Sequence, residues 1–391
     1  MKIRADFLPL SRPALGDEEA DAVVGCLRSG WITSGPKVAE LEGLFREATG
    51  APHAVAVASA TAGLHIVLAA LGIGPGDEVV TPSMTFASTA NQIVLRGATP
   101  VFAEVDYGTL QVLPGDLAAK ITPRTKAVIP VHFAGAPADL DPIRAAAEAA
   151  GVPVIEDAAH AVGTFYKGVP AGGPAGRGGA GNIAIFSFHP IKNITTAEGG
   201  MITCSDDGLA ERLRLLRFHG IERDAWKRYG KGGTPHYDIR APGYKYNLTD
   251  LHAALGVVQM GRSRGLNARR AELARRYLGG LRGVPGIELP EDVPYPHVHS
   301  WHLLIVKATG IERDALIASL AERNVGTGLH FPACHLLAYV RERFGTRKGD
   351  LPQTERAAER ILSLPLFPGM SVDDVDYVCD AVREIVSEVG R

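Results

Sequence analysis

Cysteine is scarce. Four residues (Cys26, Cys204, Cys334 and Cys379) are spread over 391 positions, with no CxxC and no metal-ligand spacing. They read as small buried hydrophobes of a reducing compartment. Net charge is nearly absent as well, because 41 Lys and Arg against 43 Asp and Glu leave −2. No global field draws nucleic acid or anionic lipid, so an anionic ligand must be held by local groups. Nowhere does an apolar run approach the roughly 18 residues of a membrane span. The opening MKIRADFLPLSRPALG has charges and prolines where a signal peptide needs apolar residues. A cytoplasmic protein without membrane or nucleic-acid partners is expected. Internal repeats are missing, and the only low-complexity piece, AGGPAGRGGAG (171–181), reads as a loop.

What is present is the profile of a globular protein, 46% hydrophobic and 21% charged, with a length that suits two domains. Pro36 opens a helical pattern that ends at Gly50. Apolar runs at 55–59, 78–82, 100–106, 127–132, 152–157 and 182–188 then alternate with helical segments such as TAGLHIVLAAL, STANQIVLRG and DPIRAAAEAAG. This alternation predicts a parallel sheet covered on both faces. From about residue 250 the pattern changes to long helices through Tyr277, a strand over HSWHLLIV (299–306), and helices at 311–323 and 371–389. The expected division is an α/β domain over 1–250 and a smaller α+β domain over 251–391. The Gly-rich GIGPGD (72–77) follows a helix and precedes a strand, the reverse of the order a dinucleotide site needs.

Three constellations could carry chemistry. SATAG (59–63) lies at a strand-to-helix junction, where free N–H groups and small residues suit a phosphate. Plain N-capping by Ser59 or Thr61 is the bland alternative. In IEDAAHAVG (155–163), Asp157 ends an apolar strand, where open α/β sheets present ligand-contacting groups. It could face a protonated pyridine nitrogen, as in pyridoxal phosphate sites, or merely cap a helix. FSFHPIKNITTAEGG (186–200) leaves Lys192 in a turn just beyond a buried strand, three residues after His189. A solvated loop charge competes there with an amine held as a nucleophile. Phosphate site, carboxylate and lysine, each near a strand end in one chain order, are more specific together than any one alone.

The run SATAGLH, GIGPGDEVVTPSMTFAST, VIEDAAHAVGTFYKG and FSFHPIKNITTAEGG resembles the sugar aminotransferases of the DegT/DnrJ/EryC1/StrS family, over nearly the whole chain. The resemblance implies an aspartate-aminotransferase-like fold (pyridoxal phosphate fold type I) and a homodimer with the site at its interface. It makes Lys192 the covalent anchor of pyridoxal 5'-phosphate and later the proton carrier. Asp157 would pair with the pyridinium nitrogen, Phe86 would stack on the ring, and Ala60, Thr61 and Ser187 would bind the phosphate. Asn247 would reach that phosphate from the neighbouring subunit. His160 would sit near the phenolic oxygen, while Trp31, His189 and His330 would line the sugar pocket. SGWITSGPK, PGYKYNLTD, HVHSWHL and VGTGLHF are similar to the branch that uses L-glutamate to aminate a UDP-linked 4-keto pentose, giving 2-oxoglutarate and the aminopentose later attached to lipid A. The loops at 171–181 and 221–237 depart from that branch and put the exact sugar in question.

The rivals are an aminotransferase for another nucleotide-linked keto sugar such as a 6-deoxyhexose, the family's dehydratase branch, and a cofactor-binding regulator without turnover. Lys192 argues against the dehydratases, which have histidine there. His297, His299 and His302 could suggest a metal, but strand alternation would put His302 on the other face from the first two. Residues 211–245 hold nine Lys/Arg against four Asp/Glu, either a diphosphate-binding surface or simply solvated charge.

Overall fold

In a computed structural model of the chain, residues 2–174, 182–222 and 237–389 are described. Two helices, α1 (Asp17–Ser29) and α2 (Pro36–Thr49), precede β1 (His53–Val57) and α3 (Ala60–Ala70). Next come β2 (Glu78–Pro82), α4 (Ala87–Leu95), β3 (Thr99–Ala103), β4 (Thr125–Val128) and α5 (Leu140–Ala149). β5 (Ile155–Asp157), β6 (Ile183–Ser187), β7 (Gly200–Cys204) and α6 (Asp207–Leu216) complete this part. The strands form one sheet in the order β3-β2-β4-β5-β6-β7-β1, its two halves joined by the parallel bridges Val128–Val154 and Val131–Asp157.

Alternation along each strand shows why both faces are covered. Val55 and Val57 of β1, with Ile183 and Ile185 of β6, enter one core, while Ala54, Ala56, Ala184 and Phe186 enter the other. The sheet is mixed rather than wholly parallel, because β7 runs antiparallel to both β6 and β1. The cause is local. No helix lies between Ser187 and Gly200, and without a crossover helix the chain can only return beside β6 in the opposite direction.

The later residues also differ from the sequence reading. One continuous helix, α7 (Asp250–Leu281), replaces the several expected. Its first half joins the core that holds Leu41, Phe45 and Leu266. Its second half, with Leu273, Tyr277 and Leu281, joins a separate core built with the C-terminal helix α9 (Val372–Val389). An intervening helix, α8 (Arg313–Glu322), packs on the same core through Leu316 and Leu320. The expected strand at 299–306 begins only at Leu304, as β8 (Leu304–Ala308), paired antiparallel with β9 (Ile361–Leu364). Trp301, at φ 50°, breaks the extended run, so strand alternation does not apply to His299 and His302. Among the described residues, no helix is long and apolar enough to cross a membrane.

Candidate active site

The C-terminal ends of the central strands open into a cavity of about 320 Å³ that holds most of the residues singled out in the sequence. Ala60 and Thr61 start α3 at its edge. Ser59 caps that helix by accepting the Ala62 N–H at 3.0 Å, and Thr61 Oγ1 lies 2.8 Å from Ser88 Oγ. The Ala60 and Thr61 N–H groups of the first turn have no partner within the helix, so they are available to an anion. α3 sits low on the sheet because two glycines permit it. A Cβ on Gly63 would lie 3.1 Å from Ile185, and one on Gly200 would lie 2.7 Å from the Ala60 nitrogen.

Asp157 ends β5, only 6% exposed. Thr89 Oγ1 donates to its Oδ2 at 2.8 Å and the Ala159 N–H to its Oδ1 at 3.2 Å. Burial raises its pKa, while Thr89, Ala159 and the nearby Lys192 oppose the rise. No helix follows Asp157 before residue 165, so the helix-capping alternative is overturned. Lys192 stands in the turn after β6, its N–H bonded to the His189 carbonyl at 2.9 Å. Its amine lines the cavity and has no hydrogen-bond partner among the described residues. Burial lowers its pKa to about 8, against the attraction of Asp157. A half-buried position on the cavity wall counts against a fully solvated loop charge.

Ser187, His189, His160, His330 and Phe86 border the same space. The His160 ring lies between Phe331, at 5.7 Å, and His302, at 4.2 Å, with its Nδ1 unpartnered. Burial, then the charge of Lys192, keeps its pKa well below the usual histidine value. His330 Nδ1 lies 2.7 Å from Ser363 Oγ, and burial brings its pKa to about 4. Phe86 is 61% exposed on the cavity rim, its ring 5.8 Å from that of Phe331.

Trp31 and Asn247 are not brought to this cavity within the chain. They meet instead at Ser34, whose carbonyl accepts from Trp31 Nε1 at 3.1 Å and whose hydroxyl accepts from Asn247 Nδ2 at 2.7 Å. Asn247 Oδ1 in turn accepts from Lys245 at 2.7 Å. Thr89, Phe331 and Glu198 border the cavity without having been foreseen. Phe331 lay inside the quoted VGTGLHF, whereas nothing local marks Thr89 as the partner of a carboxylate 68 positions away. Of the basic segment 211–245, residues 223–236 lie outside the described residues, as do 175–181 of the Gly-rich loop.

Comparison with known proteins supplies the family. Residues 13–383 match the DegT/DnrJ/EryC1/StrS aminotransferase family. The chain belongs to that family. Spr1654 from Streptococcus pneumoniae, solved in its PMP-form, is 33% identical with a TM-score of 0.90, covering 98% of this chain and 100% of its own. The aminotransferase TlmJ from Streptoalloteichus hindustanus is 35% identical, with a TM-score of 0.89 and coverage of 98% and 100%. The sugar aminotransferase CalS13 from Micromonospora echinospora is 32% identical, with a TM-score of 0.85 and coverage of 96% and 99%. The fold is that of the pyridoxal-phosphate-dependent sugar aminotransferases, and the chain is an enzyme of that class. Its residues fit the cofactor: an unpartnered amine, a buried carboxylate and an open helix start face one cavity.

Proposed function

We propose that this aminotransferase moves the amino group of L-glutamate to a UDP-linked 4-keto pentose, releasing 2-oxoglutarate and UDP-4-amino-4-deoxy-L-arabinose, the aminopentose destined for lipid A. The observation that carries the amino-transfer half is the unpartnered Lys192 amine beside buried Asp157. Bound pyridoxal phosphate supplies the electron sink.

The chain's own groups do the rest. Asp157, oriented by Thr89, would hold positive charge at the ring nitrogen, and Ala60, Thr61 and Ser187 would receive the phosphate. Phe86 would cover the ring, and His160 would serve the phenolic oxygen. Lys192, neutral in part near pH 8, anchors the cofactor and then takes and returns the substrate proton. His189 and His330 face the sugar. Among the described residues Lys192 is the only lysine or arginine lining the cavity, which supports a homodimer in which the neighbour's Asn247, and the surface around its Trp31, complete the site. Asp157→Asn should fold and melt normally yet lose most turnover, because the amide lacks the charge that keeps the pyridine protonated. Near-normal turnover would remove Asp157 from the chemistry.

The pentose reading is supported by SGWITSGPK, PGYKYNLTD and VGTGLHF, and a hexose would bring an extra carbon to be accommodated. One methylene changes recognition by about 1–3 kcal/mol, so preference rather than exclusion is expected. With both ketosugars in one reaction, kcat/KM for the pentose should exceed that for a UDP-4-keto-6-deoxyhexose by at least about tenfold. The reverse preference would replace the pentose with the hexose and leave the amino transfer standing.

A further inference from the structure

A second cavity, of about 650 Å³, lies between α7, the segment 289–305 and the turn at 109–111. Phe133 borders it, and the same ring packs at 6.4 Å from His160 and 6.1 Å from Phe331, dividing it from the cofactor cavity. We infer that this cavity is a second ligand site that takes a nucleoside phosphate.

A stacked aromatic pair forms one wall: the Trp301 and His299 rings lie face to face, parallel to within 2° with centroids 4.0 Å apart, so the platform left for a base is an outer face of the pair. Trp301 is held at φ 50°, a conformation bulky residues rarely adopt, and its N–H donates to His299 Nδ1 at 2.9 Å. That bond leaves the His299 proton on Nε2, so the ring edge offers a donor. Arg275, near the C-terminal end of α7, and Arg282, the residue that follows its last position, line the cavity, and their side chains have no partner among the described residues. Seven positions of chain place them roughly 10 Å apart along the helix axis, enough to serve a diphosphate rather than one anion. Gln111 is 4% exposed, and its Oε1 has no partner although its Nε2 donates to the Phe133 carbonyl at 3.2 Å. Of the two acids present, Asp292 is paired with His297 at 3.0 Å, which leaves Glu291 to accept from sugar hydroxyls. Bases stack on such platforms whatever their sequence, and guanidiniums grip phosphates in pairs.

The probe is UDP, added to the holoenzyme. UDP should quench a component of tryptophan emission that is missing in Trp301→Phe. Half-saturation should rise at least about tenfold in Arg275→Gln/Arg282→Gln. Equilibrium dialysis should give two UDP per chain in the wild type and one in the double variant. The same stoichiometry and half-saturation in the double variant as in the wild type, whether one equivalent or two, overturns the site. The substrate reading fails separately: there the cofactor's absorbance would not respond to UDP, the wild type would bind one equivalent, and the double variant none.

Discussion

At the residue scale, one lysine sets the pH behaviour. Lys192 is lowered from 10.5 to about 8 by burial. Between those values the unfolded chain keeps the proton and the folded chain releases it, so this group makes stability rise with pH across that window and contributes nothing further above it. Below about 8 the folded protein holds the ammonium at a cost. The same titration governs nucleophilicity. Capture of pyridoxal phosphate by the apoprotein should quicken about tenfold per pH unit up to about pH 8 and then level off, because only the free amine attacks. Asp157 raises the amine's pKa, so Asp157→Asn should move the midpoint lower. Borohydride should fix the cofactor at position 192 alone. A label on Lys167, which is paired with Asp141, or on Lys245, which is bonded to Asn247, would displace Lys192 from this role.

At the scale of elements, the phosphate end depends on how closely α3 lies against β7. A methyl group at position 200 would meet backbone on both sides, the Ala60 nitrogen at 2.7 Å and the Phe186 carbonyl at 2.8 Å. Gly200→Ala should therefore cost about 1–3 kcal/mol in denaturant unfolding and weaken cofactor binding. Gly261→Ala, in α7 with open space around it, should be neutral or add about 0.5–1 kcal/mol. Equal effects from the two would mean that backbone crowding at β7 does not position α3. β7 is also where the sequence was least legible. β2 was foreseen to the residue and α3 to within one, because apolar runs and helical spacing are local signals. GMITC follows Gly199 and a run of turn residues, and its direction is decided by the missing crossover rather than by any residue in it. The 299–306 stretch failed for a related reason: its apolar pattern suits a strand, but Trp301 turns the chain out of line. Asp157, Thr61 and Lys192 could be singled out because they lie at the end of a recognisable strand, at the start of a helix and in the turn beyond a strand, whereas His160 came only with the family resemblance. Thr89 and Phe331 become neighbours of these groups only through tertiary packing.

At the scale of the whole molecule, the homodimer proposed above raises the question of which chain completes which site. Asn247 lies just across from the end of β1, through its bridge to Val57, yet its side chain turns to Ser34 and Lys245 and lines no part of its own cavity. If it serves the neighbour's phosphate site, the two functions can be separated and recombined. Lys192→Ala and Asn247→Ala should each lose activity as purified homodimers. In a mixed dimer, the site with both defects is dead, while the other takes Lys192 from one chain and Asn247 from its partner, both intact. Random re-pairing of equal amounts makes half of the dimers mixed, each with one sound site, so about a quarter of the wild-type activity per chain should return. Recovery should grow with the time allowed for subunit exchange and should not appear when either variant is diluted alone. Absence of recovery, with exchange shown by differently tagged chains, would place Asn247 in the site of its own chain.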